Sequence, residues 1–412
     1  MAYACRKGIF LLALILFSVF LAHGSDEKTV YTFGTPGSGD GMYPFGNLVA
    51  DSAGNLYGTT QSGGANDAGT IFRLSPGTDG ERTETILHDF TGRSDGGYPQ
   101  AGLVFDPAGS LYGTGSSGGL NGTGVIFKLS PQSGGWNYNV IYSFGPYPGS
   151  DGFAPDSALV IDKLGNLYGS TYEGGDDSGC FEGCGTVFEL SPDDKGWSEQ
   201  VIHVFSPNSN DGELPAGVVF GLDGALYGTT QNGGGSADAG VLYRLKYSKS
   251  TDKWNETILH TFTSAANDGG FPEAPLLYHG GVLYGTSEGG GVNDHGTVFE
   301  TTYSKTSGWS TTVLYSFGQS YSGDVFPPQA SVVMHDGSLY GTATYGGEYN
   351  YYGGVFKLSK SSDGVWSDTV LYSFNGTTGD SPEGDLLLQG GLFYGTSRLG
   401  GDNSGLVYAV KP

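Results

Sequence analysis

The stretch Gly54-Asn55-Leu56-Tyr57-Gly58-Thr59-Thr60, followed at once by Gln61-Ser62-Gly63-Gly64, decides how this chain is read. Leu-Tyr-Gly-Thr returns at Leu111, Leu226, Leu283 and Leu339, and nearly so at Leu167 and Phe393. The tyrosines of these phrases, Tyr57, Tyr112, Tyr168, Tyr227, Tyr284, Tyr340 and Tyr394, are 55, 56, 59, 57, 56 and 54 residues apart. Six residues after each tyrosine a Gly-Gly pair begins, at Gly63, Gly118, Gly174, Gly233, Gly290, Gly346 and Gly400. A fixed period of this length marks tandem supersecondary units that bury their apolar faces against one another.

Each unit holds four strand-like runs separated by turn residues. In the first they are residues 46–51 (GNLVAD), 55–60 (NLYGTT), 69–74 (GTIFRL) and 84–90 (ETILHDF). Four short antiparallel strands per unit predict a propeller blade, because a β-helix turn would need about half the length. The fourth run recurs inside the chain six times, ending at Phe90, Phe144, Phe205, Phe262, Phe317 and Phe374, and is missing from the last unit. A seventh copy, TVYTF at Thr29–Phe33, stands alone near the N-terminus. Joining it to the last unit removes two unpaired edges. The sequence therefore predicts an all-β, seven-bladed propeller over residues 25–412, with the N-terminal strand as the outermost member of the last blade.

Packing expectations follow from the repeat. Gly58, Gly113, Gly169, Gly228, Gly285, Gly341 and Gly395 lie inside a strand, where glycine marks the close approach of another group; contact between blades is the expected cause. Phe72, Phe127, Phe188, Tyr243, Phe299, Phe356 and Tyr408, with Phe90 and its counterparts, are expected to fill the space between blades. Trp136, Trp197, Trp254, Trp309 and Trp366 open the outermost strands. Their recurrence at one position favours rim packing over sugar stacking.

Composition narrows the function. A formal charge of -24 argues against nucleic acid and an anionic membrane surface as partners, since both require a basic patch. It favours cations or cationic partners. Arg6 and Lys7 precede the 14-residue apolar run Gly8–Leu21 and the small-residue site Ala22-His23-Gly24. This predicts a signal peptide over residues 1–24, export to the periplasm or the exterior, and no membrane span afterwards, because the run is shorter than the roughly 20 residues a span needs. Cys180 and Cys184 then remain, four apart, and predict a local disulfide.

In a propeller the connections from strand four to strand one and from strand two to strand three emerge on one face. The first carries a recurrent aspartate, Asp40, Asp95, Asp151, Asp211, Asp268, Asp324 and Asp380. The second often holds another, Asp67, Asp177, Asp238, Asp294 and Asp402. Asp-Gly is a turn-forming pair, and seven like turns would give seven like aspartates without a ligand. Alternatively, adjacent acidic loops with their carbonyls supply the six or more oxygens of a calcium site. The residue after each loop proline is expected at the channel mouth: Phe45, Gln100, Asp156, Ala216, Glu273, Pro328 and Glu383. Of these Gln100, Asp156, Glu273 and Glu383 are the candidate ligand-binding residues. His88, His203 and His260 occupy the tyrosine slot of the fourth strand, and no nucleophile–histidine–acid order, paired-histidine spacing or phosphate loop emerges.

The phrases GNLYGTT, GGxxxxGTVFKLS and TVLYSF, with their Asp-Gly-x-x-Pro loops, resemble the GloVer tandem-repeat family of exported bacterial proteins. The resemblance spans the chain after the leader and implies export. Members carry varied C-terminal surface anchors, whereas here Pro412 follows the last strand, so a released or soluble form is expected. The family supplies no catalytic residue to carry over. The leading expectation is a secreted, monomeric, non-enzymatic binding or scaffold module for a glycan, an extracellular protein or a cation. The alternatives are an exported propeller enzyme of lyase or glycosidase type using channel-mouth acids and a divalent ion, and a spacer in a surface layer.

Overall fold

Every repeat folds into its own small antiparallel sheet, and seven sheets of four strands form a seven-bladed β-propeller. The computed structural model describes residues 27–34, 39–77, 81–147, 149–175, 179–180, 182–206, 210–318, 323–349 and 351–412. The leader at 1–24 and Asp177 lie outside the described residues. Blade 1 consists of Val49–Ala50, Leu56–Gly63, Thr70–Pro76 and Arg82–Asp89, from the axis outward. Blade 3 consists of Val160–Ile161, Leu167–Thr171, Thr186–Asp193 and Gly196–Val204, and blade 4 of Gly212–Phe220, Leu226–Gly233, Val241–Ser248 and Lys253–Thr261.

The ring closes through the N-terminal strand. In blade 7, Leu387–Gln389, Leu392–Ser397 and Leu406–Val410 are completed by Lys28–Thr32. Lys28 pairs with Ala409 and Thr32 with Leu406. Phe33 is buried and packs edge-on against Phe72 of blade 1, with ring centroids 5.1 Å apart.

That contact is one of seven. The closing phenylalanine of each fourth strand meets the third-strand ring of the next blade: Phe90 with Phe127, Phe144 with Phe188, Phe205 with Tyr243, Phe262 with Phe299, Phe317 with Phe356 and Phe374 with Tyr408, at 4.9–5.6 Å. Burying each such ring contributes about 1.5–3 kcal/mol, so the apolar core is a closed belt between blades.

A β-bulge makes this two-sided packing work. In blade 1, Ile71 pairs with His88 while Phe72 pairs with Ile86, leaving Leu87 as an extra residue. The same register shift occurs in all seven outer pairs. An extra residue reverses which face the side chains point to. The first half of each outer strand therefore faces the preceding blade and the second half faces the next one. Trp136, Trp197, Trp254 and Trp309 accordingly pack on Tyr57, Tyr112, Tyr168 and Tyr227 of the preceding blade, at 5.8–6.1 Å.

Two expectations change. The glycine of Leu-Tyr-Gly-Thr makes room within its own blade: a Cβ on Gly58 would stand 2.6 Å from Phe72 Cζ and 2.9 Å from Leu48 Cδ2. Gly58 and Phe72 are direct cross-strand partners, so the ring lies across its own sheet and reaches the neighbouring blade from there. The innermost strand of blade 1 is shorter than residues 46–51, covering only Val49–Ala50. Pairing with the far end of the second strand passes instead to Gly41–Pro44, where Gly41 faces Gly63. A Cβ on Gly63, which has φ +80°, would meet the Asp40 carbonyl oxygen at 2.5 Å.

Candidate functional site

The pairing of Gly41 with Gly63 defines one face of the ring. In each blade the loop that carries the recurrent aspartate bridges to the end of its own second strand, as at Gly97–Ser117, Phe153–Glu173, Gly269–Gly290, Val325–Gly346 and Asp380–Leu399. The loop aspartates hold this geometry. Asp40 accepts from the Gly34 and Gly41 amides, Asp151 from Gly145, Asp211 from Gly212, Asp268 from Thr263 and Gly269, and Asp324 from Gly318 and Val325, at 2.6–3.1 Å. Asp95 accepts from the Thr91 amide at 3.0 Å, and Asp380 from the Ser381 hydroxyl at 2.9 Å. In the second set of loops Asp67, Asp238 and Asp294 accept from Gly63, Gly233 and Gly290. Apart from that of Asp380, these bonds are those of the turn-forming reading, with the carboxylates serving as backbone caps.

The same aspartates also tie blades together. The Tyr31 hydroxyl lies 3.0 Å from an Asp40 oxygen and 3.1 Å from a Glu84 oxygen of blade 1, and Tyr142 donates to Asp151 at 2.8 Å with Glu199 alongside. Histidine takes the tyrosine slot at Asp95 (His88, 3.3 Å), Asp211 (His203, 3.1 Å) and Asp268 (His260, 2.9 Å). His203, Asp211 and Glu256 bring three metal-ligating atoms within 4.8 Å of one another, a set able to hold a metal ion.

Gln100, Asp156, Glu273 and Glu383 line a single cavity of about 510 Å³ to which all seven blades contribute. Phe45 and Ala216 also line it, but Pro328 does not. The loop prolines are seated on the glycine that opens the third strand of the preceding blade: Pro99 on Gly69, Pro155 on Gly124, Pro215 on Gly185, Pro272 on Gly240 and Pro44 on Gly405. Pro328 sits on Gly296 in the same way, so in the blade built of Val333–His335, Ser338–Ala343, Gly354–Lys360 and Trp366–Ser373 the mouth position belongs to Gln329. Two consecutive prolines, Pro327 and Pro328, had shifted the sequence count by one.

A second ring, absent from the sequence expectation, supports the first. It comes from the residue after Leu-Tyr-Gly-Thr-x, which is Gln61, Ser116, Tyr172, Gln231, Glu288, Thr344 or Arg398. Tyr172 donates to Gln231 Oε1 at 3.1 Å, Gln231 donates to Glu273, Gln329 donates to Glu273 Oε2 at 3.2 Å, and Thr344 donates to Gln329 at 2.6 Å. Arg398 lies 3.7 Å from Glu383 and over the Phe45 ring. The signal for this ring was present in the chain: this position lies at a fixed offset from Leu-Tyr-Gly-Thr and differs among the copies.

Burial controls the charge here. It pushes Glu273 up to about 8, with Glu288 adding to the effect. Burial likewise pushes Asp156 up to about 7, with Glu173 contributing, and Asp385 to about 6. Deeper in the cavity Asp385 accepts from Asn47 Nδ2 and from the Ser331 amide, both at 2.7 Å. Near neutral pH the mouth therefore presents protonated and ionised carboxyls beside carboxamides, a surface that both donates and accepts hydrogen bonds.

With the geometry in view, the Gloeobacter/Verrucomicrobia repeat profile matches residues 15–181 and 176–408. The chain belongs to this repeat family. No curated protein matches it significantly. Among solved structures, this Gloeobacter/Verrucomicrobia repeat protein is similar to an ancestral GH74 enzyme at TM-score 0.54 and 11% identity, covering 94% of this chain and 51% of that one. It is also similar to PorZ, a bacterial surface component of the type-IX secretion system of Porphyromonas gingivalis, at TM-score 0.53 and 13% identity, covering 92% of this chain and 48% of that one. A chain of a mitotic checkpoint complex matches over its full length at TM-score 0.52 and 10% identity. The repeat protein thus spans about half the length of the first and of PorZ, and at these identities the likeness is one of fold.

Proposed function

We propose that this repeat protein is a non-catalytic binding module whose axial cavity takes a hydroxyl-rich ligand, the end of a glycan chain. The observation that carries the reading is where the copies diverge. Seven blades built on one pattern carry different residues at the two rings around the cavity, which is lined by carboxyls, carboxamides, Phe45 and Tyr172. Paired donors and acceptors beside an aromatic ring suit a sugar, and about 510 Å³ suits a short end rather than a whole chain.

The test is binding to a panel of neutral and acidic glycans, followed by calorimetry on the wild type and on the triple variant Asp156→Ala, Glu273→Ala, Glu383→Ala. Saturable binding that is lost in the triple variant, at unchanged melting temperature, is expected. Absence of glycan binding overturns the proposal. So does hydrolase or lyase activity in the wild type that the triple variant lacks, which establishes an enzyme instead.

Export as a monomer is part of the same reading. The leader pattern at residues 1–24 supports it, as does the disulfide joining Cys180 to Cys184, a pairing suited to an oxidising compartment. Among the described residues no helix is long and apolar enough to cross a membrane. Mass spectrometry of the secreted chain should find Ser25 at its N-terminus; retention of the leader in a cytoplasmic fraction would contradict export.

A further inference from the structure

We propose that His203, Asp211 and Glu256 form a binding site for a divalent transition metal, zinc in particular, at the junction of blades 3 and 4. His203 comes from the outermost strand of blade 3, Asp211 from the loop entering blade 4, and Glu256 from the outermost strand of blade 4. His203 Nε2 lies 3.1 Å from Asp211 Oδ2 and 3.5 Å from Glu256 Oε1. Zinc bound to nitrogen and oxygen at about 2.0–2.2 Å in a tetrahedron sets its ligands about 3.3–3.5 Å apart, so these distances are already those of a coordination edge. The fourth vertex is left for water. Two carboxylates and a neutral imidazole also balance the charge of one divalent ion.

Comparison among the seven junctions distinguishes this one. At four others the same positions read Tyr31/Asp40/Glu84, Tyr142/Asp151/Glu199, Tyr315/Asp324/Asp368 and Tyr372/Asp380/Glu27. Of the outer acids, Glu84 Oε1, Glu199 Oε1, Glu256 Oε1 and Asp368 Oδ1 are buried oxygens that accept no hydrogen bond. The acids recur, but the third donor differs. A neutral phenol is a poor ligand, whereas an imidazole nitrogen offers a lone pair to a metal. The remaining histidines lack the second acid, since the position of Glu256 is Tyr138 opposite His88, where the rings stack at 3.6 Å, and Thr311 opposite His260. The donor set also separates zinc from calcium, which takes six or more oxygens and not imidazole.

The sister junctions supply the control. His203→Tyr rebuilds this junction in the manner of Tyr142/Asp151/Glu199 and so removes the imidazole without removing the interblade contact. Chelator-stripped full chain is titrated with zinc and, separately, with calcium, following heat of binding and melting temperature. One zinc per chain and a raised melting temperature are expected for the wild type, with at least tenfold weaker binding in His203→Tyr and in Glu256→Gln, and no comparable shift with calcium. The proposal is overturned if stoichiometric zinc binding is absent, if His203→Tyr and Glu256→Gln bind zinc as the wild type does, or if calcium is preferred. Should His203→Tyr fail to fold, Glu256→Gln, which keeps size and hydrogen-bonding capacity, decides alone.

Discussion

The guanidinium of Arg82 lies 5.1 Å from the centroid of the Tyr394 ring and joins the first blade to the last. Four other junctions place a tryptophan from the outer strand against the corresponding tyrosine; Arg82 stands in that position in blade 1. It also donates to the Gly54 carbonyl at 2.7 Å and the Leu74 carbonyl at 3.1 Å. Arg82→Ala should cost about 1–2 kcal/mol, and Arg82→Trp less, since it restores the arrangement of the other blades. Denaturant unfolding of the two variants checks this, and equal losses would contradict it.

Stability at the same junction should depend on pH through Glu84. Burial, and next to it the Asp40 carboxylate, pushes Glu84 from 4.5 up to about 8. The folded state thus keeps a proton that the unfolded chain releases. Its contribution is complete below about pH 4.5, declines as pH rises, and is gone once pH passes about 8. Glu84→Gln should therefore match the wild type at low pH and be the more stable protein above about pH 8, by roughly 1–3 °C in melting temperature. Melting curves of the pair across pH measure this; parallel profiles would rule it out.

Removing residues 25–34 should open the ring. The loss strips the third strand Leu406–Val410 of its partner and deprives Phe72 of the buried Phe33 ring. Loss of one such ring costs about 3–5 kcal/mol, and the bared edge is a template for association. Calorimetry should show a lower melting temperature, and light scattering should show oligomers. A monomer with unchanged melting would show that the strand is dispensable.

Gly58→Ala tests the packing within a blade. The added methyl would meet Phe72 and Leu48 inside van der Waals distance, so a loss of about 1–3 kcal/mol is expected in equilibrium unfolding. A neutral effect would mean that the Phe72 ring can move away from its sheet at little cost.

The architecture was legible because its determinants are local and repeated. Leu-Tyr-Gly-Thr locates every second strand, and the stray Thr29–Phe33 run located the closure. The rings that fill the interblade belt were equally readable, since each recurs at one place in its strand. Contacts made between repeats were harder. The meeting of Glu84 with Tyr31, or of Glu256 with His203, joins residues about 53 positions apart in outer strands whose polar alternation looks solvent-facing. Nothing in that alternation reveals that the bulge at Leu87 and its equivalents turns one half of the strand toward each neighbour. At the cavity, Gln100, Asp156, Glu273 and Glu383 were legible from the loop prolines, whereas the supporting Tyr172, Gln231 and Arg398 needed the geometry of the strand ends.

The closing strand also fixes how the ring responds to tension. Lys28 pairs with Ala409 and Thr32 with Leu406, so the two ends of the chain leave the last blade on the same side. Pulling them apart loads the hydrogen bonds one after another, from Lys28 inward, and not all at once. The propeller should therefore part at this junction under small forces, like a zip drawn from its open end, while staying rigid to forces that press the blades together.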